Sequence, residues 1–94
     1  MPYSFDDSKP RKKYEQNNHR QVPPAGMRKY NDWRRQIVEK GLGPKEAAEN
    51  VGDCHYEEIN KSLGLYSIRL TQAHRVLFQV NGNEIIINGI GGHY

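Results

Sequence analysis

The sequence is poor in the means of covalent or membrane anchoring. Its single cysteine, Cys54, cannot close an internal disulfide. No apolar run is long enough for a signal-peptide core or a membrane span, so the chain is expected to carry no membrane anchor and to fold in a reducing compartment. Apolar bulk is scarce as well, with one tryptophan and two phenylalanines among 94 residues. That supports one domain with a modest core and excludes a cofactor-binding domain set beside a substrate domain. Cys54, His55 and His74 lack the paired spacing of a zinc site, and neither a metal nor a cofactor is expected.

Charge is present but unevenly spread. Residues 1–35 hold nine basic side chains against four acidic ones, a local +5 within an overall +3. A basic entry segment suits a nucleic-acid partner, and equally it solvates a polar arm. Residues 1–23 contain Pro2, Pro10 and Pro23 and almost no aliphatic side chains, so they read as a polar basic arm without regular structure, ordered only against the body or a partner. Residues 24–94 read as the folded domain. Met27, Tyr30, Trp33 or Arg34, Ile37 and Val38 recur at helical spacing until Gly41. Tyr30 and Trp33 fit a helix core better than a base-stacking platform. Pro44 then opens a shorter helix that closes near Gly52.

Beyond Gly52 the period changes from helical to two. Strands are expected over residues 65–70, 75–80 and 84–90, with a weaker one around 55–59. "QVNGNEI" carries Asn81-Gly82, a strong hairpin signal, which would set Phe78 opposite Ile85, Val76 opposite Ile87 and Arg75 opposite Asn88. A three-residue loop at 71–73 would pair Ile68 with Val76 and Tyr66 with Phe78. The architecture expected is α+β: two N-terminal helices packed on one face of a twisted antiparallel sheet of about four strands.

The other face of that sheet would carry Arg69, Arg75 and Asn88 in a row. Two arginines directly opposite one another repel unless an anion or carboxylate lies between them. Either Glu57 and Glu58 pair with them in an exposed lattice, or the row binds phosphate, which planar guanidinium groups do in a bidentate manner. With Ser67 on the same face, a glutamate upstream, and His93 and Tyr94 after the last strand, the side chains suit attack of a ribose 2′-hydroxyl on its neighbouring phosphate. Strict alternation sends His93 to the opposite face from Arg75. Bringing it round requires Gly89, Gly91 and Gly92 to twist or bulge the strand.

The run "GLYSIRLTQAHRVLFQVNGNEIIINGIGGHY" resembles the C-terminal half of RelE-superfamily ribonuclease toxins, most closely the YoeB branch, through "HRV" and the terminal "HY" taken together. The resemblance implies a RelE-like fold and endoribonuclease activity without a cofactor. It implies Arg75 on the scissile phosphate, His93 as general acid, Tyr94 orienting substrate, and a glutamate as base, with Glu58 first and Glu57 second. Arg69, Ser67, Asn88 and Lys61 are the candidate substrate-binding residues. Toxins of toxin–antitoxin operons in this family begin with a β-strand, and no such strand is legible before Pro24. That departure resembles instead the toxin domains of contact-dependent inhibition effectors, for which tRNA is the expected substrate and an immunity protein the expected partner. The operon alternative implies messenger RNA on the ribosome and an antitoxin. Both place the action in the bacterial cytoplasm. A module of the same fold that binds RNA or protein without catalysis is the remaining alternative.

Overall fold

The computed structural model describes residues 3–8 and 22–92. Helix α1 spans Pro24–Lys40 and α2 spans Pro44–Val51. Each starts with a proline in its first turn, where the missing N–H costs nothing. The end of α1 is equally local in origin. Gly41 adopts φ 70, its N–H reaches the Ile37 carbonyl at 3.1 Å, and Leu42 N–H reaches the Gln36 carbonyl at 3.3 Å. These are the paired bonds of a glycine-terminated helix.

Five strands form one sheet: β1 (Ser4–Asp6), β2 (Glu57–Asn60), β3 (Leu65–Arg69), β4 (Arg75–Asn81) and β5 (Glu84–Gly92), in the order β1-β5-β4-β3-β2. The helices pack on one face, and the α+β architecture is the one expected. The sheet is mixed, however, because β1 lies parallel to β5 with Phe5 opposite Ile85. This corrects the reading of the N-terminal residues as lacking regular structure. Three residues rich in polar side chains give too short a pattern to read, and the strand is held by tertiary contact. Phe5 stands 5.7 Å from the Trp33 ring and 6.4 Å from Tyr30, with the Arg34 guanidinium 5.2 Å over its face.

The core lies in the seam between α1 and the sheet. Tyr30, Trp33 and Ile37 of α1 meet Ile68, Val76, Phe78, Ile85 and Ile87, all buried. The rings of Trp33 and Phe78 are 5.0 Å apart, and the indole N–H donates to the Pro44 carbonyl at 3.0 Å, which ties α2 into the same seam. Burial of each such side chain is worth roughly 1.5–3 kcal/mol. Val38, expected on the apolar stripe, is 43% exposed because it falls past the edge of the face that meets the sheet.

The β3–β4 pairing follows the expected register: Tyr66 faces Phe78, Ile68 faces Val76 and Arg69 faces Arg75. The β4–β5 pairing does not. Gly82 and Asn83 form the two-residue turn, with Asn81 opposite Glu84, so Phe78 faces Ile87 and not Ile85. Gly82 takes φ 63 while Asn83 keeps a negative φ, the requirement of a type II′ turn with glycine first. The pairing moves by two residues, which preserves the faces. Further along, Asn88 and Gly91 are extra residues on β5, and Arg75 pairs with Gly92. Asn88 is therefore not opposite Arg75, as the register with an Asn81-Gly82 turn required.

Gly64, between β2 and β3, has φ 62, and a Cβ built there would lie 2.6 Å from the Val80 carbonyl oxygen. Around Gly82 there is open space. Gly64→Ala is expected to destabilise by about 1–3 kcal/mol, and Gly82→Ala by about 1 kcal/mol through backbone strain alone. Thermal melts of both variants check this. Equal losses would contradict the close approach at Val80.

Candidate active site

The face of the sheet turned away from the helices gathers four of the expected residues. Glu57, Ser67, Arg69 and Arg75 share it because Glu57 pairs with Ser67 and Arg69 with Arg75 in the ladder. Glu58, ranked ahead of Glu57 on the sequence, pairs with Tyr66 and so belongs to the opposite face. Its neighbours agree: the Tyr56 phenol is pushed up to about 12, first by burial, then by Tyr66 and Glu58. Alternation along β2 is the physical reason for the separation.

Each arginine is held by its own carboxylate. Arg75 Nη1 donates to Glu57 Oε2 at 3.3 Å, and Arg69 Nη2 donates to Asp53 Oδ1 at 2.9 Å. The like-charge pair is thus relieved by two separate acids. His55 adds an imidazole, its Nε2 3.9 Å from Glu57 Oε2. Asp53 and His55 both have left-handed backbones, φ 51 and 44, on either side of the buried Cys54. The Cys54 carbonyl accepts from Arg69 N–H at 2.5 Å, which anchors this loop to β3 while Asp53 reaches Arg69 and His55 reaches Glu57. Burial pushes the Cys54 thiol up, so it stays protonated and is no nucleophile.

Other expected residues are placed elsewhere. Ser67 is on the right face, but its hydroxyl is fully buried and has no hydrogen-bond partner among the described residues. Lys61 lies in the β2–β3 turn, one residue beyond the Asn60–Leu65 pairing and so at the opposite end of β3 from Arg69. Asn88 is the extra residue between the Ile87 and Gly89 pairings. His93 and Tyr94 lie outside the described residues, as does most of the arm. Asp53, Lys29 and His55 were not identified from the sequence. Lys29 sits on α1 and reaches Asp53 from 24 residues away, a contact that no local spacing announces.

Among the described residues, no three His, Cys, Asp or Glu side chains converge as a metal site would require, and no helix is long and apolar enough to cross a membrane.

The fold is that of the YoeB/RelE-like toxins. Among solved structures, the whole chain matches 98% of the YoeB chain in the heterotetrameric YoeB–YefM toxin–antitoxin complex from Staphylococcus aureus, with 26% identity and a TM-score of 0.55. The YoeB dimer of the same organism matches at 23% identity and 0.53, with 100% of this chain and 98% of that one covered. A YoeB/ParE toxin from Agrobacterium tumefaciens matches over 100% of both chains at 18% identity and 0.57. The last two are likenesses of fold. No protein-family model and no curated protein matches the sequence.

The hydrogen bond from Arg69 first, and the Lys29 charge next, hold the Asp53 carboxyl below the ordinary carboxylate range. A depressed folded-state pKa contributes stability above the unfolded value, and that contribution is lost as pH falls through the folded value. Asp53→Asn is therefore expected to lower Tm slightly at pH 7, with the difference from the parent closing below about pH 4. A difference that persists unchanged into acid would show that charge is not its source.

Proposed function

We propose that this chain is a bacterial toxin that acts as an endoribonuclease, with a chemistry carried by side chains alone. The observation that carries the reading is the Glu57–Arg75 contact at a point of the sheet where Gly92 is the opposite residue. A carboxylate and a guanidinium stand side by side there. His93 is the next residue in the sequence after Gly92. The extra residues Asn88 and Gly91 are what bring Gly92 to that pairing.

In this reading Glu57, not Glu58, is the general base. It removes the proton of a ribose 2′-hydroxyl as that oxygen bonds to the adjacent phosphorus. Arg75 leaves its carboxylate partner for the phosphate and neutralises the charge that builds on the phosphorane. The bond from phosphorus to the 5′ oxygen then breaks, and His93, the acid implied by the resemblance, protonates the departing oxygen. The products are a 2′,3′-cyclic phosphate and a 5′-hydroxyl. Glu57 ends protonated and His93 deprotonated, and exchange with solvent restores both. Tyr94 orients the substrate.

Strand β1 bears on the biological setting. The likeness to contact-dependent inhibition effectors, with tRNA as substrate and an immunity protein as partner, rested on the lack of a strand before the helices. With Ser4–Asp6 in the sheet, the order of elements agrees with that of the operon toxins. We therefore place messenger RNA on the ribosome ahead of tRNA, and an antitoxin ahead of an immunity protein. The solved neighbours in complex with the antitoxin YefM support the second choice.

Purified chain is expected to cut RNA in ribosomes translating in magnesium buffer, and Arg75→Ala to be slower by about 10²- to 10³-fold, as for loss of one donor to a developing oxyanion. Gel separation of the RNA reads both. Discrete fragments from deproteinised tRNA would restore the effector reading. Intact RNA under both conditions would leave the inert binding module.

A further inference from the structure

Lys29 of α1 and Arg69 of β3 converge on one carboxylate. Arg69 donates to Asp53 Oδ1 at 2.9 Å, Lys29 Nζ stands 3.9 Å from Oδ2, and Lys29 also donates to the Asp53 carbonyl. The Asp53 side chain is nevertheless 82% exposed, so these ion pairs are of the solvent-screened kind that stabilises little. The carboxylate is held there from a left-handed backbone, φ 51, a region that Asp and Asn enter more readily than other residues with a Cβ. Stability gives little reason for the arrangement. Its position gives a better one, because Arg69 faces Arg75 directly across the ladder. Any strand whose phosphate sits on Arg75 presents its next phosphate to whatever cation lies beside it.

We infer that Lys29 and Arg69 form a second phosphate subsite, and that Asp53 occupies it in the free protein in place of the phosphate neighbouring the scissile one. The inference rests on the RNA-cleaving reading above and extends it to a residue set drawn from α1, β3 and the loop before β2. Both ligands are oxyanions and both are held by the same two cations. An arriving phosphate displaces Asp53 outward into solvent, to which it is already open. Asp53 thereby sets the affinity for the strand, weakening it by occupying the cations that would hold it.

An alternative in which Asp53 only orients Arg69 makes the opposite forecast, and the sign of one measurement separates the two. The probe is a fluorescein-labelled oligoribonucleotide carrying 2′-O-methyl groups, which cannot be cleaved, read by anisotropy. Asp53→Asn removes the charge and keeps a residue at home in the left-handed region. It is expected to bind roughly 3- to 10-fold tighter than the parent at low salt, with the gain shrinking as salt rises. Arg69→Ala and Lys29→Ala are each expected to bind more weakly. In an Arg69→Ala background, Asp53→Asn is expected to lose most of its gain.

Unchanged or weaker binding by Asp53→Asn overturns the subsite, as does a gain that is the same without Arg69. If the parent and Arg75→Ala bind the probe equally, the RNA-cleaving reading itself fails, and the subsite fails with it.

Discussion

Arg69 and Arg75 face one another across β3 and β4, and the surroundings of that face are organised by the need to hold two guanidinium groups in adjacent positions. Neither can lose its proton, and directly opposed like charges destabilise a ladder. Relief comes from two different directions. Glu57 arrives from the neighbouring edge strand, and Asp53 from a loop bent into the left-handed region and steadied by Lys29 of the long helix. The register that creates the conflict is itself fixed by the apolar partners on the other face, Tyr66 with Phe78 and Ile68 with Val76. Shifting it by one residue would turn Phe78, which packs against Trp33, out of the core.

The last strand answers a second constraint. A regular β5 would continue its alternation and leave Arg75 opposite Ile90. Two extra residues, Asn88 and Gly91, lengthen the path so that Gly92 meets Arg75. Gly91 has φ 94, where glycine is at ease and other residues are not. Gly91 and Gly92 thus have a local structural purpose in the register of β5.

Much of this was legible in the sequence because the core obeys simple periods. Tyr30, Trp33 and Ile37 at helical spacing, Pro44 opening α2, and the alternation of β3 and β4 all read directly. What was not legible depends on tertiary contact. Ser4–Asp6 becomes a strand because Phe5 finds Trp33 and Ile85, and a pattern of three residues cannot announce that. The hairpin after Val80 was misplaced by one residue because Asn81-Gly82 and Gly82-Asn83 are both sound turn sequences, and a two-residue slip keeps the same faces. In the site, Arg69 and Arg75 followed from the register, whereas the choice between Glu57 and Glu58 depended on the phase of a short edge strand. Asp53, His55 and Lys29 join the site through a loop conformation and a helix contact that leave no periodic trace.

The central claim is that the carboxylate beside Arg75 does chemistry and the next one along the chain does not. The most direct test is the rate of RNA cleavage by Glu57→Gln and Glu58→Gln, both exposed positions where an amide is tolerated. Loss of a general base lowers the rate by about 10²- to 10⁴-fold. The account expects that loss for Glu57→Gln and a rate close to the parent's for Glu58→Gln. The reverse pattern, or full activity in Glu57→Gln, would contradict it.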